Sequence, residues 1–172
     1  RYAKMIGEAS LLPPGCEGVR MLPDLYAGSG LGGVFSGLSA RTTRGHLYRA
    51  ALEALAFRTR EGLTLLEKWA GFRADAVICA GGGSKNQLWN RIRADLLGIP
   101  LLVTPAGETT VLGAAMFALA GAGFYADPEE AARAMQPALT TVEPGGDRSA
   151  YLEFARDYHD LLRLLSKSPE TR

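Results

Sequence analysis

The chain has little cysteine and little net charge, and both shortages exclude classes of function. Its 172 residues include two cysteines, Cys16 and Cys79, too few for a disulfide framework or a four-cysteine metal site. The net charge is +1 at pH 7, so no broad basic surface for nucleic acid or an anionic membrane is indicated. No apolar run reaches membrane-spanning length and no signal peptide is evident. We therefore expect a cytoplasmic protein without membrane or nucleic-acid partners.

The remaining composition is that of one folded domain. Hydrophobic residues make up 47% and charged residues 22%, and 172 residues are enough to bury a core. Cys79 lies in an apolar strand pattern and is expected to be a small core residue. The sequence opens with Arg1 rather than Met, and residues 1–14 suggest a helix or loop without an evident partner. We expect the chain to be part of a longer protein, with a frayed tail at 166–172.

Strand and helix patterns alternate along the chain. Strand patterns lie at 18–22, 34–38, 76–80 and 101–104, and helical patterns at 43–70, 86–97, 108–120, 128–136 and 148–165. Within the longest helical pattern, apolar residues recur at three- and four-residue steps and predict one buried face: Leu47, Ala51, Ala54, Leu55, Leu66 and Trp69. This order predicts a layered α/β or α+β domain with at least some parallel strands.

The most informative segment runs from Gly81 to Asn86, between a predicted strand and a predicted helix. Three successive glycines allow unusual backbone angles and a close approach of ligand to backbone. The helix that follows offers unpaired N–H groups, and Ser84 or Asn86 can cap it or bond a ligand. The spacing matches neither the dinucleotide fingerprint nor the P-loop. Locally, a tight turn and a phosphate or nucleotide contact are equally consistent with this pattern.

Three segments, in the right order, resemble the FGGY family of carbohydrate kinases. Residues 33–38, followed after seven residues by 46–53, resemble the family's second signature. Residues 81–86, together with Trp89 and residues 95–98, resemble its adenosine motif. Residues 108–110 and 112–115 resemble its closing helix. Together these motifs span most of the chain.

The resemblance implies an α/β fold of the RNase-H-like, actin-like ATPase type, shared by sugar kinases, Hsp70 and actin. It has a mixed sheet flanked by helices. Residues 1–172 would form a single, partial C-terminal nucleotide-binding domain, with its first strands preceding Arg1. Sugar would bind mainly to an N-terminal domain absent from this sequence, and ATP would lie across the cleft with Mg²⁺.

The resemblance also implies which residues meet the nucleotide. Gly82 and Asn86 match the positions nearest adenosine, Gly81 and Gly83 complete the turn, and Ser84 is their neighbour. No aspartate lies in the context of the family's catalytic base, so we expect that base in the absent domain and assign no catalytic or metal-binding residue here. The fragment alone is expected to be inactive, and an uncovered face or edge suggests a homodimer.

Several alternatives stay open at this point. The amino-acid sequence of residues 25–55 most resembles that of the kinases that phosphorylate L-fuculose at O1. Xylulose, rhamnulose, ribulose and glycerol kinases share the same scaffold. A non-catalytic nucleotide-binding module is another alternative, whereas the signature at 33–53 disfavours an actin-like assembly or chaperone domain.

Four further features of the sequence suggest functional roles, but simpler structural roles also account for them. Glu53 is expected to pair with Arg49 or Arg60, and Trp89 to lie in the core rather than stack on adenine. At His46 no imidazole chemistry is expected. The glycine-rich loop at 28–33 either faces the cleft or simply turns the chain.

Overall fold

The structure is a computed structural model that describes residues 2–23, 33–105 and 107–166. Its helices are α1 (Tyr2–Ser10), α2 (Arg44–Ala70), α3 (Gln87–Leu97), α4 (Thr109–Gly121), α5 (Pro128–Met135) and α6 (Arg148–Ser166). Its strands are β1 (Arg20–Leu22), β2 (Val34–Ser36), β3 (Val77–Cys79), β4 (Leu101–Val103) and β5 (Thr140–Val142). Two short 3₁₀ turns lie at Cys16–Gly18 and Gly82–Lys85.

The strands form two sheets, one of them mixed. β1 and β2 pair antiparallel, whereas the second sheet has the order β3-β4-β5. In that sheet β3 and β4 are parallel and β5 runs antiparallel to β4. The connection from β3 to β4 passes through α3, since parallel neighbours need a crossover of this kind. The predicted α/β architecture with parallel strands is therefore confirmed.

The helix ends form where the side chains and glycines predict them. At the start of α2 the imidazole Nδ1 of His46 accepts the Thr43 backbone N–H at 3.1 Å, a variant of the capping box. The helix ends at Gly71, whose φ of 68° is left-handed. Asp127 caps α5 by accepting the Glu130 backbone N–H at 2.7 Å. These local predictions hold because each depends on neighbours within four residues.

The predicted buried face of α2 is wrong for four of its six members, whereas Ala54 is buried as predicted. Four of its members are exposed instead: Leu47, Leu55, Leu66 and Trp69. The buried face contains Arg49, Glu53 and Phe57, and beyond Phe57 α2 extends past the core. A periodicity of apolar residues misidentifies this face because two of its buried residues, Arg49 and Glu53, are charged and form an ion pair with each other.

The segment expected to lack a partner packs on α2. α1 lies against the start of α2, where a Cβ on Gly45 would come within 3.2 Å of Glu8. The Glu8 carboxylate also accepts two hydrogen bonds from Arg44, at 2.5 and 2.6 Å. Strand β5 was not predicted either, because its three residues alternate too briefly to give a pattern.

The main core lies between β1, α2, α3 and α6. Its largest fully buried members include Ile92, Leu96 and Tyr151. Cys79 is buried with Ala94 and Leu101 in a smaller cluster beneath the mixed sheet, as predicted. Among the described residues no helix is long and apolar enough to cross a membrane. The glycine loop at 28–33 lies outside the described residues except for Gly33, as does the predicted tail from residue 167.

Candidate functional site

The glycine segment lies at the carboxyl edge of the parallel strands β3 and β4. Gly81 has φ 84° and ψ −172°, a region open essentially to glycine alone. The backbone then forms the 3₁₀ turn Gly82–Lys85, in which the Ser84 N–H donates to the Gly81 carbonyl at 3.1 Å. Ligands of open α/β sheets bind at this edge, because loops that follow parallel strands converge there.

Gly82 and Gly83 differ in what a side chain would meet. A Cβ on Gly83 would come within 2.7 Å of the Trp89 ring, so packing of this indole explains the glycine. A Cβ on Gly82 would meet no described atom within 4 Å. The packing of the described residues therefore does not require glycine at position 82. Its bare backbone leaves room for a ligand to approach.

Asn86 links the start of α3 to α2. Its Oδ1 accepts the Trp89 backbone N–H at 3.2 Å, which caps α3. Its Nδ2 donates to the Tyr48 hydroxyl at 3.1 Å. A side-chain amide offers two N–H donors and two acceptor lone pairs, so one donor and one lone pair remain for a ligand.

Ser84 is held inside the turn. Its hydroxyl donates to the Gly81 carbonyl at 2.7 Å, and its own carbonyl accepts from Asn90 Nδ2 at 2.7 Å. The Ser84 side chain is buried by these contacts. In this arrangement Ser84 stabilises the turn.

One cavity brings most of the predicted residues together. It has a volume of about 570 Å³ and is lined by Tyr2, Ile6, Tyr48, Leu52, Leu55, Gly82, Gly83, Lys85, Asn86 and Trp89. This size is within the usual range for small-molecule sites, and such sites combine an apolar lining with a few polar groups. Gly81 and Ser84 are not among its lining residues. Ser84 lines a second, smaller cavity of about 390 Å³, on the side of β4 and β5.

Three aromatic residues of the cavity, Tyr2, Tyr48 and Trp89, were not predicted as site residues. Trp89 was expected in the core, and it does pack against the main core while also lining the cavity. The guanidinium of Arg93 lies 4.3 Å from the centre of its ring. Tyr48 gave no signal in the sequence, because only the packing of α2 against α3 brings its hydroxyl to Asn86.

A larger cavity contains none of the predicted site residues. It measures about 890 Å³ and lies between the second half of α2 and α6, with Leu65, Trp69 and Tyr158 in its lining. Size alone would therefore direct attention away from the glycine turn. We prefer the cavity at the glycine turn as the candidate site, because the open backbone of Gly82 and the partly free amide of Asn86 both line it.

Glu53 and His46 have structural partners. The Glu53 carboxylate accepts from Arg49 Nε at 2.8 Å and from the Gly15 N–H at 3.1 Å. Burial raises the pKa of the Glu53 carboxyl, and the Arg49 guanidinium opposes that shift. The imidazole of His46 caps α2 and lies 3.3 Å from a Glu17 carboxylate oxygen. Within the described part of the chain, no three His, Cys, Asp or Glu side chains cluster as metal ligands.

Known proteins with similar sequences are sugar and polyol kinases. The profile of the FGGY family of carbohydrate kinases, C-terminal domain, matches residues 18–122. The L-fuculokinase of Escherichia coli O157:H7 is 47% identical over 130 residues, which are 76% of this chain and 27% of that protein. The glycerol kinase of Citrifermentans bemidjiense is 38% identical over 161 residues, 88% of this chain and 31% of that protein. The chain thus spans less than a third of these relatives.

A solved structure extends the similarity to the fold. The crystal structure of xylulose kinase from Rhodospirillum rubrum matches 95% of this chain with a TM-score of 0.72 and 28% sequence identity. The match covers 34% of that kinase. The arrangement of helices around a mixed sheet described above is therefore shared with a solved sugar kinase.

Proposed function

The chain belongs to the FGGY family of carbohydrate kinases and has the actin-like ATPase fold, and from this premise we propose that it binds the adenosine of ATP for phosphoryl transfer to a small sugar. In this proposal residues 1–172 form a single, partial C-terminal nucleotide-binding domain. Gly82 and Asn86 contact the nucleoside, Gly81 and Gly83 shape the turn, and Ser84 lies beside it.

The observation that carries the proposal is the convergence of Gly82 and Asn86 on one cavity. The bare backbone of Gly82 allows a flat base to lie close to the chain, since no described atom lies within 4 Å of the position that a Cβ would take. Asn86 supplies one free donor and one free lone pair at the same cavity, and aromatic rings of Tyr48 and Trp89 line it. A purine nucleoside needs these features: an apolar slot with a few placed polar groups.

The chemistry of the reaction assigns the other parts to the rest of the protein. Phosphoryl transfer depends on aligning the phosphate with the attacking hydroxyl and on neutralising charge, usually with Mg²⁺ held largely by the phosphates. We assign neither a catalytic base nor a metal ligand to this chain. The base and most sugar contacts belong to the N-terminal domain, and ATP or ADP is the partner that this chain itself binds.

L-fuculose is the proposed acceptor, with L-fuculose 1-phosphate as the product. Support comes from the 47% identity to an L-fuculokinase, compared with 38% to a glycerol kinase. The protein would then act in fucose metabolism in the cytoplasm. Other acceptors of the family, D-xylulose, L-rhamnulose, D-ribulose and glycerol, are the alternatives.

The test is ADP release by the native full-length protein with Mg-ATP and each of these five acceptors in turn. Preference for L-fuculose would support the proposal in full, and preference for another acceptor would retain the kinase and correct its substrate. ADP binding without release would favour a non-catalytic nucleotide-binding module. The absence of both would overturn the proposal.

Two expectations concern the 172-residue chain by itself. It should transfer phosphate to none of these acceptors, and turnover at rates typical of intact kinases would contradict the assignment of the base to another domain. A homodimer of the chain is also proposed, because β3 is an edge strand of its sheet among the described residues and its Ile78 side chain is 66% exposed. Sedimentation equilibrium would detect it, and a monomer at all concentrations would exclude it.

A further inference from the structure

The orientation of the Asn86 amide is fixed by two neighbours of different chemistry. A backbone N–H can only donate, so the Trp89 N–H requires the oxygen of the amide on its side. The nitrogen must then face the Tyr48 hydroxyl, whose oxygen lies 3.1 Å away and accepts from it. The Trp89 N–H excludes a half-turn of the amide, since that would place two N–H donors against each other. The bond to the Tyr48 hydroxyl restrains the smaller rotations of the amide plane.

The position of the Tyr48 hydroxyl is itself fixed by the next residue on α2. The buried guanidinium of Arg49 donates to Glu53, to the Ala9 carbonyl at 3.2 Å and to the Tyr151 hydroxyl at 2.9 Å. The bond to Glu53 lies within α2, whereas the bonds to Ala9 of α1 and Tyr151 of α6 prevent α2 from turning about its axis. Tyr48 therefore presents its hydroxyl to Asn86 from a rigid support.

We propose that Tyr48 is a positioning residue that holds the Asn86 amide in the plane from which it binds adenine in preference to guanine. The inference rests on the proposed nucleotide function. With the amide fixed, its remaining N–H and its remaining lone pair form an adjacent donor and acceptor at the cavity.

That donor–acceptor pair matches one purine base. Adenine presents a ring nitrogen that accepts and an amino group that donates, and asparagine binds this edge with two hydrogen bonds. On the corresponding edge of guanine both atoms are acceptors, so the amide carbonyl would face an oxygen. Without the Tyr48 hydroxyl the amide plane could tilt about its bond to Trp89, so the mismatch with guanine would persist but the adenine contact would be lost for part of the time.

The test replaces Tyr48 by phenylalanine in the native full-length protein, which removes one oxygen atom and keeps the ring. Isothermal titration calorimetry gives the dissociation constants of ADP and GDP for wild type and Tyr48→Phe. We expect the variant to bind ADP about tenfold more weakly, as for one lost hydrogen bond, and GDP less than twofold more weakly. The preference for ADP over GDP then falls by a similar factor.

A matched control is Tyr125→Phe, which deletes a hydroxyl from a half-buried ring outside the cavity. It should change neither dissociation constant.

Equal weakening of ADP and GDP binding in Tyr48→Phe would indicate a merely structural role and overturn the inference, as would an unchanged ADP affinity. If wild type binds ADP but the variant keeps its preference, the proposed function stands and the role of Tyr48 falls. If wild type binds neither nucleotide, both fall together.

Discussion

Arg49 and Glu53 lie one turn apart on α2 and form an ion pair that water barely reaches. The two atoms, Nε and Oε1, are 2.8 Å apart, and each side chain is 5% exposed. Glu53 also accepts the Gly15 N–H, and Arg49 donates to Ala9 and Tyr151. Because these bonds reach α1, the turn before β1 and α6, the pair connects much of the described fold.

Removing the carboxylate should destabilise the protein strongly. Glu53→Ala leaves the Arg49 guanidinium buried without its counter-charge, which costs about 3–5 kcal/mol for such pairs. Urea unfolding measures the change in the free energy of unfolding. Glu129→Ala is the control, since it breaks the exposed Arg133–Glu129 pair and should cost less than about 0.5 kcal/mol. Equal effects of the two substitutions would contradict a structural role for Glu53.

Two neighbouring glycines should respond in opposite ways to a single methyl group. Gly82→Ala meets no described atom and should leave the free energy of unfolding unchanged or slightly raised, while weakening ADP binding at least tenfold. Gly83→Ala crowds the Trp89 ring and should cost about 1–3 kcal/mol. Urea unfolding and ADP calorimetry on both variants distinguish the two effects. A destabilised Gly82→Ala that binds ADP normally would place the ligand elsewhere.

Asn86 combines a helix cap with a proposed ligand contact, and two substitutions separate these roles. Asn86→Ala should lose about 1 kcal/mol of stability with the cap, and raise the KM for ATP far more than that for the sugar. Asn86→Asp keeps the capping oxygen, so we expect near-normal stability but a raised KM for ATP.

The capping residue of α5 provides the comparison for Asn86. Asp127→Ala should cost about the same stability without affecting either KM, because it caps a helix outside the cavity. Steady-state kinetics of the native full-length protein give the constants. A larger effect on the KM for the sugar than for ATP in Asn86→Ala would mean that the ligand is misplaced.

The stability of the fold should fall at high pH because of Cys16. Burial, and then the nearby Glu53 carboxylate, raise the pKa of this thiol from 9.0 to about 12. Between these values the unfolded chain loses the proton and the folded chain keeps it. The free energy of unfolding is therefore retained below pH 9 and decreases above it by about 1.4 kcal/mol per pH unit.

The contribution of the Cys16 thiol to this pH dependence can be isolated by measuring the free energy of unfolding of wild type and Cys16→Ala between pH 8 and pH 10. Other groups titrate in both proteins, so the difference between their pH slopes reports Cys16. The wild-type slope should be steeper. Parallel curves would show that the thiol ionises equally in the folded and unfolded states.

The structural features that could be predicted from the sequence are those that depend on neighbouring residues in the chain. Gly71, Gly98 and Asp127 mark helix ends because their effect depends on residues within one turn, and the turn from Gly81 follows from glycine's backbone freedom. The family resemblance, rather than any pattern, singled out Gly82 and Asn86, and their contact with a nucleotide stays a prediction.

The missed features are those that only tertiary packing creates. Tyr48 lies 38 residues from Asn86 in the chain, and no periodicity relates the two positions. The buried face of α2 was misread because Arg49 and Glu53 are charged, and a hydrophobic pattern assigns charged residues to the surface. The packing of α1 on α2 depends on Gly45, whose value as a contact point appears only when both helices are present.

The length of α2 has a mechanical consequence. Its 27 residues form a rod of about 40 Å, anchored near its start and free of the core beyond Phe57. Trp69 lies 21 positions after Tyr48 and is 79% exposed, so a tilt of about 5° at the cavity beside Asn86 would move the indole by roughly 3 Å. Any tilt of α2 beside Asn86 would therefore produce a larger displacement at the exposed surface around Trp69.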